Sequence, residues 1–385
     1  MKRVLLIPDL PVERWPSMER YALRLWQHLP QEAPDLAYAL AAPVRGLVAS
    51  EPAARRQSEE QPVAHPTSFG FELMRYGQRY VRYPARIRAR RADLYHVLDH
   101  SYAHLGRSAR RAPVVVTVHD LLPQITVRRR PLHFRHHLRN LLLRRVLAAL
   151  REARAWIVAT EWLRGELATW LGRDEDIHVV PYGVDDAFFD EADAGREAMR
   201  DRLGIPPEAY VVLHVGSAVD RKNLPAVIEG TAGLRGRGVP AWLLQVGGRL
   251  NAKHLSLLQS MGISDRVTQL PEAPESDLRA AYRAADVLLF PSHYEGFGLP
   301  LLEAMASGLP VITSGAGALG EVAGDAAVVV PSRDPERYVE ALVALAQDSA
   351  RAADLRERGR ARARGFSWAE TARRTAQVYR SLVGT

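Results

Sequence analysis

Two glutamates with seven residues between them stand in the segment DVLLFPSHYEGFGLPLLEAMASGLPVITS (286–314). An ionised carboxylate only accepts hydrogen bonds, so Glu295 and Glu303 suit the hydroxyls of a sugar. On one straight helix their spacing would set them about 80° apart. The loop HYEGFG and Pro300 intervene, which lets the two acids face separate parts of one ligand. Gly296 and Gly298 permit close backbone approach, and the helix start that follows offers amide hydrogens to phosphate. Glu303 equally fits an acid held near a helix start by the macrodipole.

A second cluster is GSAVDRKN (216–223), where Gly216 makes a turn followed by two cations, Arg221 and Lys222. A glycine turn with cations at a helix start suits a diphosphate. Lys222 is one of only three lysines among 52 basic residues, which favours a specific point-charge role over a solvated helix start. His119 ends the apolar run VVVTVHD at the place where a site would open; a lone histidine there is more often structural. The carboxylates of DED (174–176) sit in a turn flanked by Gly172 and Arg173 and read as solvated rather than metal-binding. No catalytic metal is expected.

These residues need elements to hold them. Short apolar runs rich in β-branched residues, VLLI (4–7), PVVVTVHD (113–120), AWIVAT (155–160) and IHVVP (177–181), have the look of buried parallel strands. After a turn-rich passage at 184–194 the series restarts with YVVLHVG (210–216), AWLLQVGG (241–248), VTQL (267–270), DVLLFPS (286–292), PVITS (310–314) and AAVVVP (326–331). Helical periodicity appears at 17–29, 139–153, 224–238, 275–285 and 299–308. Two consecutive β/α series predict an α/β chain of two doubly wound domains, with ligands at the carboxyl ends of the strands. Ser17 is expected to cap the first helix.

Composition narrows the classes. At 385 residues, 47% hydrophobic and 25% charged, the chain has material for two or three globular domains. No apolar run approaches the roughly 20 residues of a membrane span. MKRVLLIPDLP does not read as a signal peptide, and the lack of cysteine excludes disulfides and thiolate metal sites. These features point to a cytoplasmic protein. Residues 1–185 hold 29 Lys+Arg against 19 Asp+Glu, whereas the rest hold 23 against 25. The basic half carries two acid-free stretches, 75–91 and 128–145, each with seven arginines. Such a half implies an anionic partner. Peripheral contact with the inner face of an anionic membrane, giving access to a lipid-linked acceptor, is one expectation; arginine bias from a GC-rich genome is the plainer one.

The segment HYEGFGLPLLEAMASGLPVITS resembles the donor-binding motif of retaining glycosyltransferases of family four. VTVHD, VVPYGVDDAF, HVGSAVDRKN and FSWAETARRTAQVYRSL look like further blocks of that family in its order. The resemblance implies the GT-B architecture: two facing Rossmann-like domains, with a last helix crossing back to the first. It divides the chain into an acceptor-binding domain over 1–185, completed by 367–385, and a nucleotide-sugar donor-binding domain over 186–366. By similarity Glu295 contacts the transferred sugar and Glu303 the ribose diol. The amides of Phe297, Gly298 and Leu299 meet sugar and diphosphate, Lys222 with Arg221 holds the phosphates, and His119 contacts the donor sugar or its developing charge. The chain departs from the family in its first loop, IPDLPVERWPSMERY, which lacks the glycine-rich turn; its prolines and Trp15 suggest an acceptor wall instead.

The expected activity is metal-independent hexosyl transfer, with GDP-mannose and UDP-glucose or another UDP-hexose as leading donors. The acceptor is a saccharide or a lipid-linked saccharide, as in polysaccharide biosynthesis. No cofactor is expected. A nucleotide-sugar epimerase or a sugar phosphorylase shares the architecture, but the EGFGLP loop argues against both. A basic nucleic-acid-binding protein is a distant alternative, since no nucleic-acid motif accompanies the arginines.

Overall fold

The computed structural model describes residues 1–13, 15–42, 69–109, 112–121, 137–190, 196–331 and 333–384. The chain forms two compact units. The first comprises Met1–Ala159, Arg164–Pro181 and Trp368–Thr385, and the second Thr160–Leu163 and Tyr182–Ser367. The division falls slightly before the position expected from sequence, after Asp185. The reason is local: the Tyr182 ring packs tilted against Phe297 with centroids 4.8 Å apart, and the Val184 amide donates to the Phe366 carbonyl.

The first unit is built on six parallel strands: β1 Lys2–Ile7, β2 Leu36–Leu40, β3 Leu94–Val97, β4 Val114–Val118, β5 Ala155–Val158 and β6 Ile177–Val179. Their order across the sheet is β2-β1-β3-β4-β5-β6. β2 and β3 do not stand out in the sequence. β2 is a half-buried edge strand, and β3 carries His96 in its middle. That histidine is fully buried because both ring nitrogens are matched: Nδ1 meets the Tyr379 hydroxyl at 2.6 Å and Nε2 the Thr117 hydroxyl at 2.8 Å. Tyr379 lies on the last helix, Trp368–Val383, which packs on the helix Pro16–Glu32. Burial pushes the His96 pKa down to about 3, so the ring is neutral.

The second unit carries β7 Tyr210–Val215, β8 Ala241–Val246, β9 Val267–Leu270, β10 Val287–Phe290, β11 Val311–Thr313 and β12 Val328–Val329. All are parallel, in the order β12-β11-β10-β7-β8-β9. Leu213, Leu243, Leu288 and Leu289 have no exposed surface, as befits strands covered on both faces by helices.

Both sheets reverse their strand order once, between β1 and β3 in the first and between β7 and β10 in the second. At such a point neighbouring crossovers run to opposite faces and open a crevice at the carboxyl ends of the strands. Topology therefore nominates the loops after β1, β3, β7 and β10.

Candidate active site

In the second unit the two nominated loops carry the acid and the cations singled out by sequence. The loop after β7 runs from Gly216 to a 3-10 turn at Asp220–Lys222. Asn223 then takes a left-handed conformation before the helix Leu224–Gly236. Arg221 and Lys222 thus lie in a short turn that leads through Asn223 directly into the helix start. The loop after β10 is tied to this turn: the His293 amide donates to the Arg221 carbonyl at 2.8 Å, and Asn223 Nδ2 to the Pro291 carbonyl at 3.2 Å.

Across that seam Lys222 Nζ donates to Glu295 Oε1 at 2.7 Å, and an Arg221 guanidinium nitrogen lies 2.9 Å from the same oxygen. Lys222 also rests 4.7 Å from the Phe290 ring centroid. A Cβ on Gly216 would come within 3.2 Å of Lys222 Cε, so this glycine makes room for the lysine. Burial alone would raise the Glu295 pKa. The positive charges of Lys222 and then Arg221 outweigh it and hold the carboxylate below its ordinary range. Burial draws the Lys222 pKa below that of a free lysine, against the pull of Glu295. The group is an ion triad with one carboxylate and two cations, and so carries a net positive charge.

Beside it the helix Leu299–Ala306 starts from Gly298, whose φ of 108° only glycine adopts readily and where a Cβ would meet Leu319 Cδ2 at 2.7 Å. No side chain caps this start, and Pro300 occupies its first turn. The first amides therefore need acceptors from elsewhere. Gly296 and Phe297 lead into it, Phe297 being wedged between Tyr182 and Phe366.

Glu303 lies one turn further along and is only 3% exposed; its Oε2 accepts from the Tyr282 hydroxyl at 2.7 Å. Tyr282 is a partner that sequence did not suggest, because it comes from the separate helix Glu275–Ala284. His214 is another. It is fully buried at the end of β7 with Nδ1 on the Leu289 carbonyl, its Nε2 has no hydrogen-bond partner, and burial lowers its pKa to about 4.

His119 belongs to the first unit. Its Nε2 donates to the Leu98 carbonyl at 2.8 Å, and its ring meets Tyr21 edge-on at 5.2 Å. Burial lowers its pKa, so the ring is neutral. Ser17 does not cap the first helix. Trp15 holds that position without a side-chain bond, and Pro16, with no amide hydrogen to satisfy, opens the helix. Asp174 lies 3.8 Å from Arg164, and Asp176 is bonded to Arg154. Among the described residues no three metal-ligating side chains converge.

Of the arginines in 75–91, Arg75 and Arg79 turn inward onto Glu13, whereas Arg82, Arg86, Arg88 and Arg91 are exposed. Residues 128–136 of the second basic stretch lie outside the described residues. No helix among the described residues is long and apolar enough to cross a membrane.

Residues 18–188 match the family described as Glycosyltransferase Family 4, and residues 195–362 match Glycosyl transferases group 1. The D-inositol 3-phosphate glycosyltransferase of Kineococcus radiotolerans is 37% identical over 248 residues, which cover 59% of this chain and 57% of that protein. Its namesake numbered 1 in Catenulispora acidiphila is 35% identical over 230 residues, 56% of this chain and 54% of that one. The chain thus matches little more than half the length of these relatives. Among solved structures, sucrose-phosphate synthase from Thermosynechococcus elongatus superposes with a TM-score of 0.75 at 23% identity over 99% of both chains. Anabaena HepE, solved with UDP and glucose, gives 0.73 at 17% identity over 99% of this chain and 100% of that one. At such identities the likeness is one of fold.

Proposed function

Because this chain belongs to the family-four glycosyltransferases of the GT-B fold, we propose that it transfers a hexose from a nucleoside-diphosphate sugar to a hydroxylated acceptor, with retention and without a metal ion. The donor is bound at the switch point of the second sheet. The observation that carries this is the Lys222–Glu295–Arg221 triad beside the uncapped helix start at Gly298. Two cations and a set of first-turn amides within one crevice suit a diphosphate, while the carboxylate between them suits a sugar hydroxyl. HepE, whose structure holds UDP and glucose, supplies the analogy for a UDP-hexose; GDP-mannose is the other leading donor.

In this mechanism Lys222, Arg221 and the amides of Phe297, Gly298 and Leu299 take up the charge that develops on the departing diphosphate. Fixed dipoles in a water-poor site do so without reorganising. Gly216, lacking a Cβ, leaves room for Lys222 beside the diphosphate. Glu303 anchors the ribose diol, and Glu295 orients the sugar. His119 is assigned contact with the sugar or its developing charge. The acceptor oxygen attacks the anomeric carbon on the face the diphosphate leaves. The C–O bond to phosphate breaks, its electron pair stays on the phosphate, and that phosphate oxygen takes the acceptor's proton. The exposed arginines at 82–91 supply reversible contact with an anionic membrane.

The test is a screen of nucleoside-diphosphate hexoses for release of nucleoside diphosphate in EDTA, with the anomeric configuration of the product read by NMR. Turnover of one donor with retention is expected. Inversion would overturn the front-face step, and activity regained only with an added divalent ion would overturn metal independence.

A further inference from the structure

Two fully buried histidines sit on strands, one in each sheet, and they are not satisfied alike. His96 on β3 has both ring nitrogens matched, by Tyr379 and Thr117, and serves the core. His214, near the end of β7, has one. Its Nδ1 donates to the Leu289 carbonyl at 3.1 Å, and its Nε2 is buried without a hydrogen-bond partner. Donation through Nδ1 fixes the neutral tautomer, so Nε2 presents a lone pair. Burial draws the pKa down to about 4, and the lone pair therefore persists at neutral pH. A leucine would fill similar space without an unmatched acceptor, and buried polar groups are rarely left so.

This nitrogen faces the lysine of the triad. A Cβ on Gly216 would stand 3.2 Å from Lys222 Cε, 3.3 Å from Lys222 Cδ and 3.6 Å from His214 Nε2. The lysine stem and the imidazole nitrogen thus border one small space that the glycine leaves open. Phe290 backs both: the His214 ring stacks on it with centroids 5.9 Å apart, and Lys222 Nζ lies 4.7 Å from its centroid. An ammonium has three hydrogens to donate and accepts none. Lys222 gives one to Glu295 Oε1, an oxygen that Arg221 also approaches at 2.9 Å. Lys222 is only 7% exposed, so water is a poor match for the rest.

Resting on the donor-site reading, we propose that His214 is a positioning residue for the transfer. Its Nε2 is the second acceptor of the Lys222 ammonium. With Glu295 it fixes two of the three hydrogens and leaves the third for the donor diphosphate. The flexible stem of Lys222 reaches Nε2 by rotating into the space beside Gly216. Without this acceptor the ammonium is held from one side only, by the carboxylate that is also assigned to the sugar. Arg221 cannot substitute, because a guanidinium accepts nothing.

Substitution separates the two ring nitrogens. His214→Asn keeps a donor for the Leu289 carbonyl and loses the acceptor at Nε2, whereas His214→Gln keeps an acceptor at that reach. The chain has only three lysines, Lys2, Lys222 and Lys253, so isotopic labelling at lysine Cε gives an NMR spectrum in which Lys222→Arg assigns the relevant signal. Glu295, Arg221 and His214 are the ionisable groups that face Lys222. In the full chain Lys222 should titrate about one pH unit lower in His214→Asn than in the wild type, a tenfold change in its proton equilibrium. His214→Gln should restore the wild-type titration. UDP and GDP are titrated calorimetrically into the same proteins. The nucleotide that binds the wild type should bind His214→Asn roughly tenfold more weakly, as for one hydrogen bond to a charged group, and His214→Gln nearly as well as the wild type. Should His214→Asn melt early, His214→Leu, which also lacks the acceptor but keeps apolar bulk against Phe290, takes its place with the same expected losses. An unchanged Lys222 titration in a folded His214→Asn or His214→Leu protein, or equal losses in His214→Asn and His214→Gln, would overturn the proposal. Absence of nucleotide binding to the wild type would instead overturn the donor-site reading, and the lysine titration would still judge the pairing of Lys222 with His214.

Discussion

The ammonium of Lys222 and the carboxylate of Glu295 lie 2.7 Å apart, although 73 residues separate them in the chain. The contact spans the switch point of the second sheet, from the turn after β7 to the loop after β10. Both groups are almost wholly buried, so neither is cheaply left alone. Breaking such a pair from one side costs roughly 3–5 kcal/mol, less whatever Arg221 restores. Lys222→Met should therefore destabilise the chain more than Lys222→Met combined with Glu295→Gln. Denaturant unfolding of the two variants checks this, and equal midpoints would refute it.

The two glutamates should separate kinetically. Glu303→Ala should raise the donor KM, since a hydrogen bond to a charged group is worth roughly 1.5–3 kcal/mol. Glu295→Ala should depress kcat, because orientation of the sugar matters most in the transition state. Tyr282→Phe, which removes the 2.7 Å bond to Glu303, should move KM in the same direction as Glu303→Ala but by less. Steady-state kinetics in donor concentration reads all three, and a Glu303→Ala effect confined to kcat would contradict the assignment.

Asp9, just beyond β1, makes stability depend on pH. Burial, then the charge of Asp99 and a side-chain hydrogen bond shared with it, push its carboxyl well above the usual carboxylate range. Arg79 and Glu13 are the other charges that face it. A raised folded pKa means that the native state holds a proton the unfolded chain has lost. The associated stability is present at low pH and falls as pH rises through the folded value. Asp9→Asn should flatten that slope and raise the midpoint above pH 7. Thermal melts across pH 5–8 test it; a wild-type slope retained in the variant would be the contrary result.

The last helix should be indispensable to the first unit. Tyr379→Phe leaves one nitrogen of the buried His96 unpaired, a penalty of about 1–3 kcal/mol. Removing the chain after Gly365 strips that partner and uncovers the helix Pro16–Glu32. Loss of cooperative unfolding is expected for the truncated chain, and an unchanged melt would contradict it.

The proposed membrane contact rests on charge. Liposome flotation should require anionic lipid, weaken above about 0.15 M salt, and fall when Arg82, Arg86, Arg88 and Arg91 become Gln. Equal recovery with neutral and anionic vesicles, or none with either, would remove the idea.

Much of this is legible in the sequence alone. Buried parallel strands are continuous apolar runs, so β7, β8 and β10 are plain in the sequence, and the glycine-bounded loop after β10 marks itself by composition. β3 is hidden because His96 breaks its apolar run, and the reason it can do so, Tyr379, lies at the other end of the chain. Tyr282 is opaque for the same reason: its meaning comes from Glu303 on a separate helix. Asp9, Glu13, Asp99 and His100 are ordinary polar residues until the strand order places their loops at one crevice. Local pattern carries elements and motifs, whereas strand order and long-range partners emerge only on folding.

The most direct test of the donor site is calorimetric titration of UDP and GDP into the wild-type chain, Lys222→Ala and Arg249→Ala. One nucleotide should bind the wild type, at least tenfold more weakly to Lys222→Ala and unchanged to Arg249→Ala. Binding of neither nucleotide, or undiminished binding to Lys222→Ala, would contradict the placement of a nucleoside diphosphate at the Lys222–Glu295 seam.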